Sequence, residues 1–148
     1  MFRGVAQLNL DSKGRLAVPS RFRDALITRA TGHLVITADS DRCLLIYPLP
    51  DWEPIEQKLM SLSSFNAQIR ELQRRLVGYA EDVVMDATGR ILVPAALRGY
   101  AQLEKAVTLV GQGNKFELWN KDHWDELMEK GGAPGAGGLP PELEGFSL

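Results

Sequence analysis

A chain of 148 residues with 45% apolar side chains is long enough for one ordinary domain or two very small ones, and rich enough in hydrophobes for a real core. No run approaches the roughly eighteen unbroken apolar residues of a membrane span, and the opening MFRGVAQLNLDSKGR lacks the apolar stretch of a secretion signal, so the expectation is a cytosolic globular protein. The net charge of −2 argues against a uniformly basic nucleic-acid binder, but residues 121–148 carry net −4 and leave +2 for residues 1–120.

VAQLNL (5–10) is the first strand-like segment. DSKGRLAVP (11–19) follows as a tight turn and a second strand. Asp11 can accept hydrogen bonds from turn N–H groups, Gly14 can take positive φ, and Pro19 suits the first position of a helix over SRFRDALITRA (20–30). The basic residues concentrate here: Arg3, Lys13, Arg15, Arg21 and Arg23 face only Asp11 and Asp24. Such a patch supplies what phosphate contact needs, although solvated surface charge explains it equally well. Two more strands run through HLVITADSDRCLLIYPLPDW (33–52), placing the lone cysteine, Cys43, in an apolar run as a buried small hydrophobe. Two amphipathic helices are expected next. Trp52, Ile55, Leu59 and Leu62 form one apolar row, and after a break at SLSS, Phe65, Ile69, Leu72 and Leu76 form another; Arg70, Arg74 and Arg75 lie off that row on a solvated face.

The phrase then returns. Asp11, Gly14, Arg15, Leu16, Val18, Pro19 and Arg23 match Asp86, Gly89, Arg90, Ile91, Val93, Pro94 and Arg98 at a constant offset of 75. DVVMD (82–86) precedes the second motif, AALRGYAQ (95–102) is its short helix, and AVTLVGQGNKFELWNKDHW (106–124) parallels the first hairpin. A last helix spans 120–129, with Trp124, Leu127 and Met128 on one side. The chain divides into a first unit (1–53), a helical insertion (54–80), a second unit (81–130) and a Gly/Pro-rich tail (131–148) expected to be disordered. A unit of about 40 residues buries too little surface to stand alone, so the two copies are expected to pack about a pseudo-two-fold axis around one core, giving an α+β fold.

Catalytic chemistry finds little support. Only His33 and His123 are present, neither with a His or Cys at metal-ligand spacing, and no Gly-rich phosphate loop occurs, so neither a metal nor a cofactor is expected. Asp11 and Asp86 could be imagined as a paired-carboxylate site, but Arg15 and Arg90 would hold both ionised.

MFRG…NLDSKGRLAVPSRFR, YPLPDWEPIEQKL, DATGRILVP and VTLVGQGNKFELW together resemble the MraZ family of bacterial transcriptional regulators, over residues 1 to about 130. The resemblance implies tandem AbrB-like swapped-hairpin units forming a barrel and self-assembly into a ring. It also implies nucleoid association and binding of double-stranded DNA at short direct repeats upstream of the cell-division and cell-wall gene cluster, mainly as a repressor. It carries Arg15 over as the DNA-contacting residue, where the residues alone also allow a turn-locking ion pair with Asp11. Lys13, Arg3 and Arg21 are expected to position phosphates. Arg90 and Asp86 are the second-motif candidates, but Ala87 and Thr88 replace Ser12 and Lys13, and Ala95 and Ala96 replace Ser20 and Arg21. The first copy is therefore expected to lead in DNA contact. The competing reading is an AbrB-like protein-interaction or antitoxin-type module.

Overall fold

Each copy of the repeat lays down a strand, a turn, a short strand, a helix and a hairpin. A computed structural model describes residues 1–131 and 140–147. In the first copy these elements are β1 (Phe2–Asn9), β2 (Arg15–Ala17), α1 (Ser20–Ala30), β3 (His33–Ala38) and β4 (Leu44–Pro48). The insertion forms α2 (Leu49–Ser61) and α3 (Ala67–Leu72), which runs on into a π-helical stretch at Gln73–Val77. The second copy gives β5 (Glu81–Val84), β6 (Arg90–Leu92), α4 (Ala95–Tyr100), β7 (Ala106–Gly113) and β8 (Lys115–Asn120), followed by α5 (Lys121–Gly131).

The fold is α+β, built on a six-stranded antiparallel sheet of order β1-β7-β8-β4-β3-β5 and a separate ribbon of β2 with β6. The first strand of each copy pairs with the third strand of the other: Phe2–Asn9 lies against Ala106–Gly113, and Glu81–Val84 against residues 33–36. Exchanging the two copies turns the strand order into its own reverse. The pseudo-two-fold axis therefore passes between β4 and β8 and between β2 and β6.

Period-2 alternation explains why the hairpin strands read as unbroken apolar runs. Leu34, Ile36, Leu44 and Ile46 point into the main core with Val107, Leu109, Phe116 and Leu118. Val35, Leu45 and Tyr47 point to the opposite face, where Trp52 of α2 and half-buried Leu76 cover them. On the second copy that outer face carries Val110 and Trp119, packed with Cys43 and Trp124 of α5. Cys43 is fully buried, and burial followed by the charge of Glu117 pushes its thiol far above the ordinary range. The ribbon closes the core from the other side through Leu16 and Ile91, 0% and 1% exposed.

Several expected boundaries shift for local reasons. Pro19 and Pro94 sit one residue before their helices, as N-caps with extended ψ. The insertion's first helix begins at Leu49 and not in the mid-fifties, directly after Pro48 as N-cap. Phe65 stays outside the second helix and is 95% exposed, because the Asn66 side chain accepts from the Gln68 and Ile69 N–H groups and starts the helix at Ala67. Asn120 ends β8 and does not open α5; its Oδ1 accepts from His123 N at 3.1 Å. Of the tail expected to be disordered, residues 132–139 and 148 lie outside the described residues, and Pro141–Leu143 makes a single 3₁₀ turn. Among the described residues no helix is long and apolar enough to cross a membrane.

Candidate nucleic-acid interface

Each Asp-x-x-x-Arg turn is closed by its own aspartate. Asp11 Oδ1 accepts the backbone N–H groups of Lys13 and Arg15, both at 2.9 Å, while Oδ2 accepts Arg15 Nε at 2.7 Å. The second turn repeats the pattern. Asp86 Oδ1 accepts from Thr88 N and Arg90 N, both at 2.9 Å, and Oδ2 from Arg90 Nε at 3.1 Å. The turn-locking ion pair allowed by the residues is thus present in both copies. It engages only Nε, so the terminal amino groups of Arg15 and Arg90 carry no hydrogen bond among the described residues, and the side chains are 30% and 38% exposed.

These bonds hold both carboxyls below their usual range. For Asp11 the Arg15 N–H is the largest cause; for Asp86 the Arg90 N–H leads, followed by the Thr88 hydroxyl at 2.8 Å, and its value falls to about 2. A carboxyl depressed on folding stabilises the fold above its unfolded value, about 3.9, and that contribution is lost as pH falls through the folded value. The urea midpoint of the wild-type protein should therefore drop between about pH 4 and pH 2. Asp86→Asn should show a shallower drop in the same titration; an identical profile would remove Asp86 from the acid response.

The two turns are welded across the pseudo-axis. Gly14 and Gly89 take φ of +82° and +81°, and a Cβ built on either would fall within 2.6 Å of Arg98 Cζ or 2.3 Å of Arg23 Nε, respectively. Arg23 Nε donates to Val18 O at 2.7 Å, and Arg98 Nε to Val93 O at 2.9 Å. The backbone answers in kind, with Val18 N donating to Gly89 O (2.9 Å) and Val93 N to Gly14 O (3.0 Å). Each arginine thus braces the opposite copy's turn. Sequence reasoning aligned Arg23 with Arg98 and gave neither this role.

In the ribbon Arg15 pairs with Leu92, Leu16 with Ile91, and Ala17 with Arg90. Because Leu16 and Ile91 point inward, Arg15, Ala17, Arg90 and Leu92 share the outer face. Arg15 and Arg90 are diagonal neighbours there, roughly 7–8 Å apart at Cα. A two-stranded ribbon fits the major groove of B-DNA, and a guanidinium fork suits guanine O6 and N7.

The other predicted residues divide. Lys13 is exposed in the first turn, with no side-chain partner among the described residues, whereas Thr88 at the matching position turns its hydroxyl onto Asp86. Arg3 and Arg21 stand apart, near the start of β1. The Arg21 guanidinium lies beside Gly4, whose built Cβ would be 3.2 Å from Nη2, and 4.7 Å over the Phe22 ring. From Gly4 to Asn9 the strand extends roughly 17 Å, so these two arginines would meet a different stretch of duplex from the turns. In the insertion, Arg70 Nη1 donates to the Ser64 and Phe65 carbonyls, and Arg75 pairs with Glu71.

The family model described as "MraZ protein, putative antitoxin-like" matches twice, over residues 1–75 and 76–134, one match for each copy of the repeat. A transcriptional regulator MraZ of Nitrosospira multiformis is 62% identical over 148 residues, covering 100% of both chains. The corresponding protein of Nitrosomonas eutropha is 59% identical over 148 residues, and that of Pseudomonas aeruginosa 50% identical over 151, each again covering 100% of both chains. With its two turns, its exchanged strands and this full-length similarity, the chain belongs to the MraZ family, whose members are transcriptional regulators and not enzymes.

Proposed function

We propose that the chain regulates transcription by binding double-stranded DNA through the outer face of the β2–β6 ribbon, mainly as a repressor. The observation that carries this reading is the convergence of Arg15 and Arg90 on one face, each anchored through Nε with its terminal amino groups free among the described residues. The first turn leads, because Lys13 adds a free ammonium where the second turn has Thr88. Arg3 and Arg21 add phosphate contacts on the flank, which raise affinity without carrying sequence information. The cross-paired strands form an AbrB-like swapped-hairpin barrel within one polypeptide.

The target is a set of short direct repeats upstream of the cell-division and cell-wall cluster, including the chain's own gene, with the protein nucleoid-associated in the cytoplasm. A subunit of net charge −2 binds weakly alone. Subunits assembled in a ring engage successive repeats, and effective concentration supplies the affinity that charge does not.

Fluorescence anisotropy on a duplex carrying the upstream repeats, against a scrambled duplex over a salt series, tests the reading. Binding should require the repeats and weaken about a hundredfold from 50 to 200 mM salt if four phosphates are neutralised. No binding to either duplex, or binding indifferent to salt, would favour a protein-interaction module, the reading with which the family's antitoxin-like description agrees.

A further inference from the structure

The insertion has no counterpart in either copy, and where it returns to the sheet it builds a second feature. An open cavity of about 390 Å³ lies there, lined by Arg42, Glu71, Arg74, Arg75, Tyr79 and Tyr100 among others. Three guanidinium groups face one carboxylate. Arg75 pairs with Glu71 through Nη1, while its Nε is buried with no hydrogen-bond partner among the described residues. Arg42, on left-handed backbone at φ +62°, holds its guanidinium 4.6 Å over the Tyr100 ring. Tyr100 is fixed by donating its hydroxyl to Asp39 O at 2.6 Å, and Tyr79 leans on it with ring centroids 5.1 Å apart, 38% exposed.

Neither the repeat nor the core requires this arrangement. Ala25 occupies the position of Tyr100 in the first copy at the offset of 75, and Asn114 matches Arg42 at the tip of the second hairpin. Arg74 and Arg75 lie on the π-helical stretch, a backbone irregularity that recurs at functional sites. That stretch is pinned by Thr37 of β3, whose buried hydroxyl donates to Leu76 O at 2.5 Å. A buried guanidinium N–H without an acceptor is costly, and an incoming oxygen would relieve it.

We propose that this cavity binds a small phosphate-bearing ligand of the nucleotide class, its phosphates on Arg42, Arg74 and Arg75 and its planar base against Tyr79. Arginine forks suit phosphate oxygens, and the volume fits a small molecule and not a polymer. The site lies in the insertion and stands independently of the ribbon face.

Isothermal titration of the full chain with guanosine 5′-diphosphate, adenosine 5′-diphosphate, inorganic pyrophosphate and guanosine tests this. At least one nucleoside diphosphate should bind at one site per chain, pyrophosphate more weakly, and guanosine not measurably. Arg42→Gln combined with Arg74→Gln should weaken the diphosphate at least about tenfold, with the unfolding temperature unchanged because both positions are exposed. Tyr79→Ala should weaken the nucleotide and leave pyrophosphate as it was. The proposal is overturned if the wild-type chain binds none of the four or binds guanosine as well as the diphosphates, if pyrophosphate matches the nucleotides, or if the double variant binds undiminished. It is equally overturned if the double variant loses duplex binding or changes its subunit number, since the cavity would then belong to a DNA or subunit contact.

Discussion

Gly111→Ala is expected to cost about 2–4 kcal/mol and to lower the unfolding temperature by about 5–15 °C. Gly111 pairs with Gly4 where the exchanged strand β1 joins β7. A Cβ built there would sit 2.5 Å from Arg3 N and 2.8 Å from both Arg3 Cα and Phe2 C, which are backbone atoms that cannot rotate aside. The strand must retreat, and Phe2 retreats with it. Phe2 packs against Phe116 at 4.3 Å between ring centroids and edge-on against Phe22 at 5.8 Å, so the displacement opens the core where the first copy is held to the second. Gly99→Ala is the internal control. It lies in α4 with no atom within 4 Å of a built Cβ and no left-handed backbone, so the same thermal melt should show it stabilised by about 0.5–1 kcal/mol. A Gly111→Ala protein that melts with the wild type would show that β1 does not press on β7 as described.

The pseudo-symmetry was legible because it is written in residue types at one offset, and the helix over Ser20–Ala30 because its signals are local. Strand partners were not legible. Nothing near Phe2–Asn9 specifies Ala106–Gly113 as its neighbour; that choice is made by the core, once Leu16 and Ile91 close the ribbon over the hairpins. The insertion was half legible. The row of Trp52 and Ile55 packs inward as its spacing predicts, whereas Phe65 satisfied the spacing and failed on the cap, because one Asn66 hydrogen bond set decides where the helix starts.

The same division separates the site residues. Asp11 with Arg15, and Asp86 with Arg90, interact four positions apart, within reach of sequence reasoning. Arg23 and Arg98 act on glycines of the opposite copy, so only the folded pairing discloses them. Arg3 and Arg21 looked like part of one basic patch because they are close in sequence to Lys13 and Arg15; the extended strand β1 carries them to its far end. The Arg42–Tyr100 contact unites residues of both copies with the insertion and left no pattern in any one segment.

The second large effect concerns Arg15. Its ion pair with Asp11 lies on the surface, and the Asp11 carboxyl still closes the turn through the N–H groups of Lys13 and Arg15, so Arg15→Ala should fold and assemble as the wild type does. The variant loses the fork that would read a guanine, worth about 1–3 kcal/mol or roughly 5- to 150-fold at one contact, and more where several subunits engage at once. Arg90→Ala should weaken binding less, because the second turn lacks the lysine that accompanies Arg15. The decisive measurement is the anisotropy of wild type and Arg15→Ala on the repeat-bearing duplex at one salt concentration, with thermal unfolding and assembly size recorded on the same samples. An intact, assembled Arg15→Ala protein that binds at least tenfold more weakly is the predicted result; equal binding by the two proteins would reduce Arg15 to a turn lock and contradict the ribbon as the DNA-reading face.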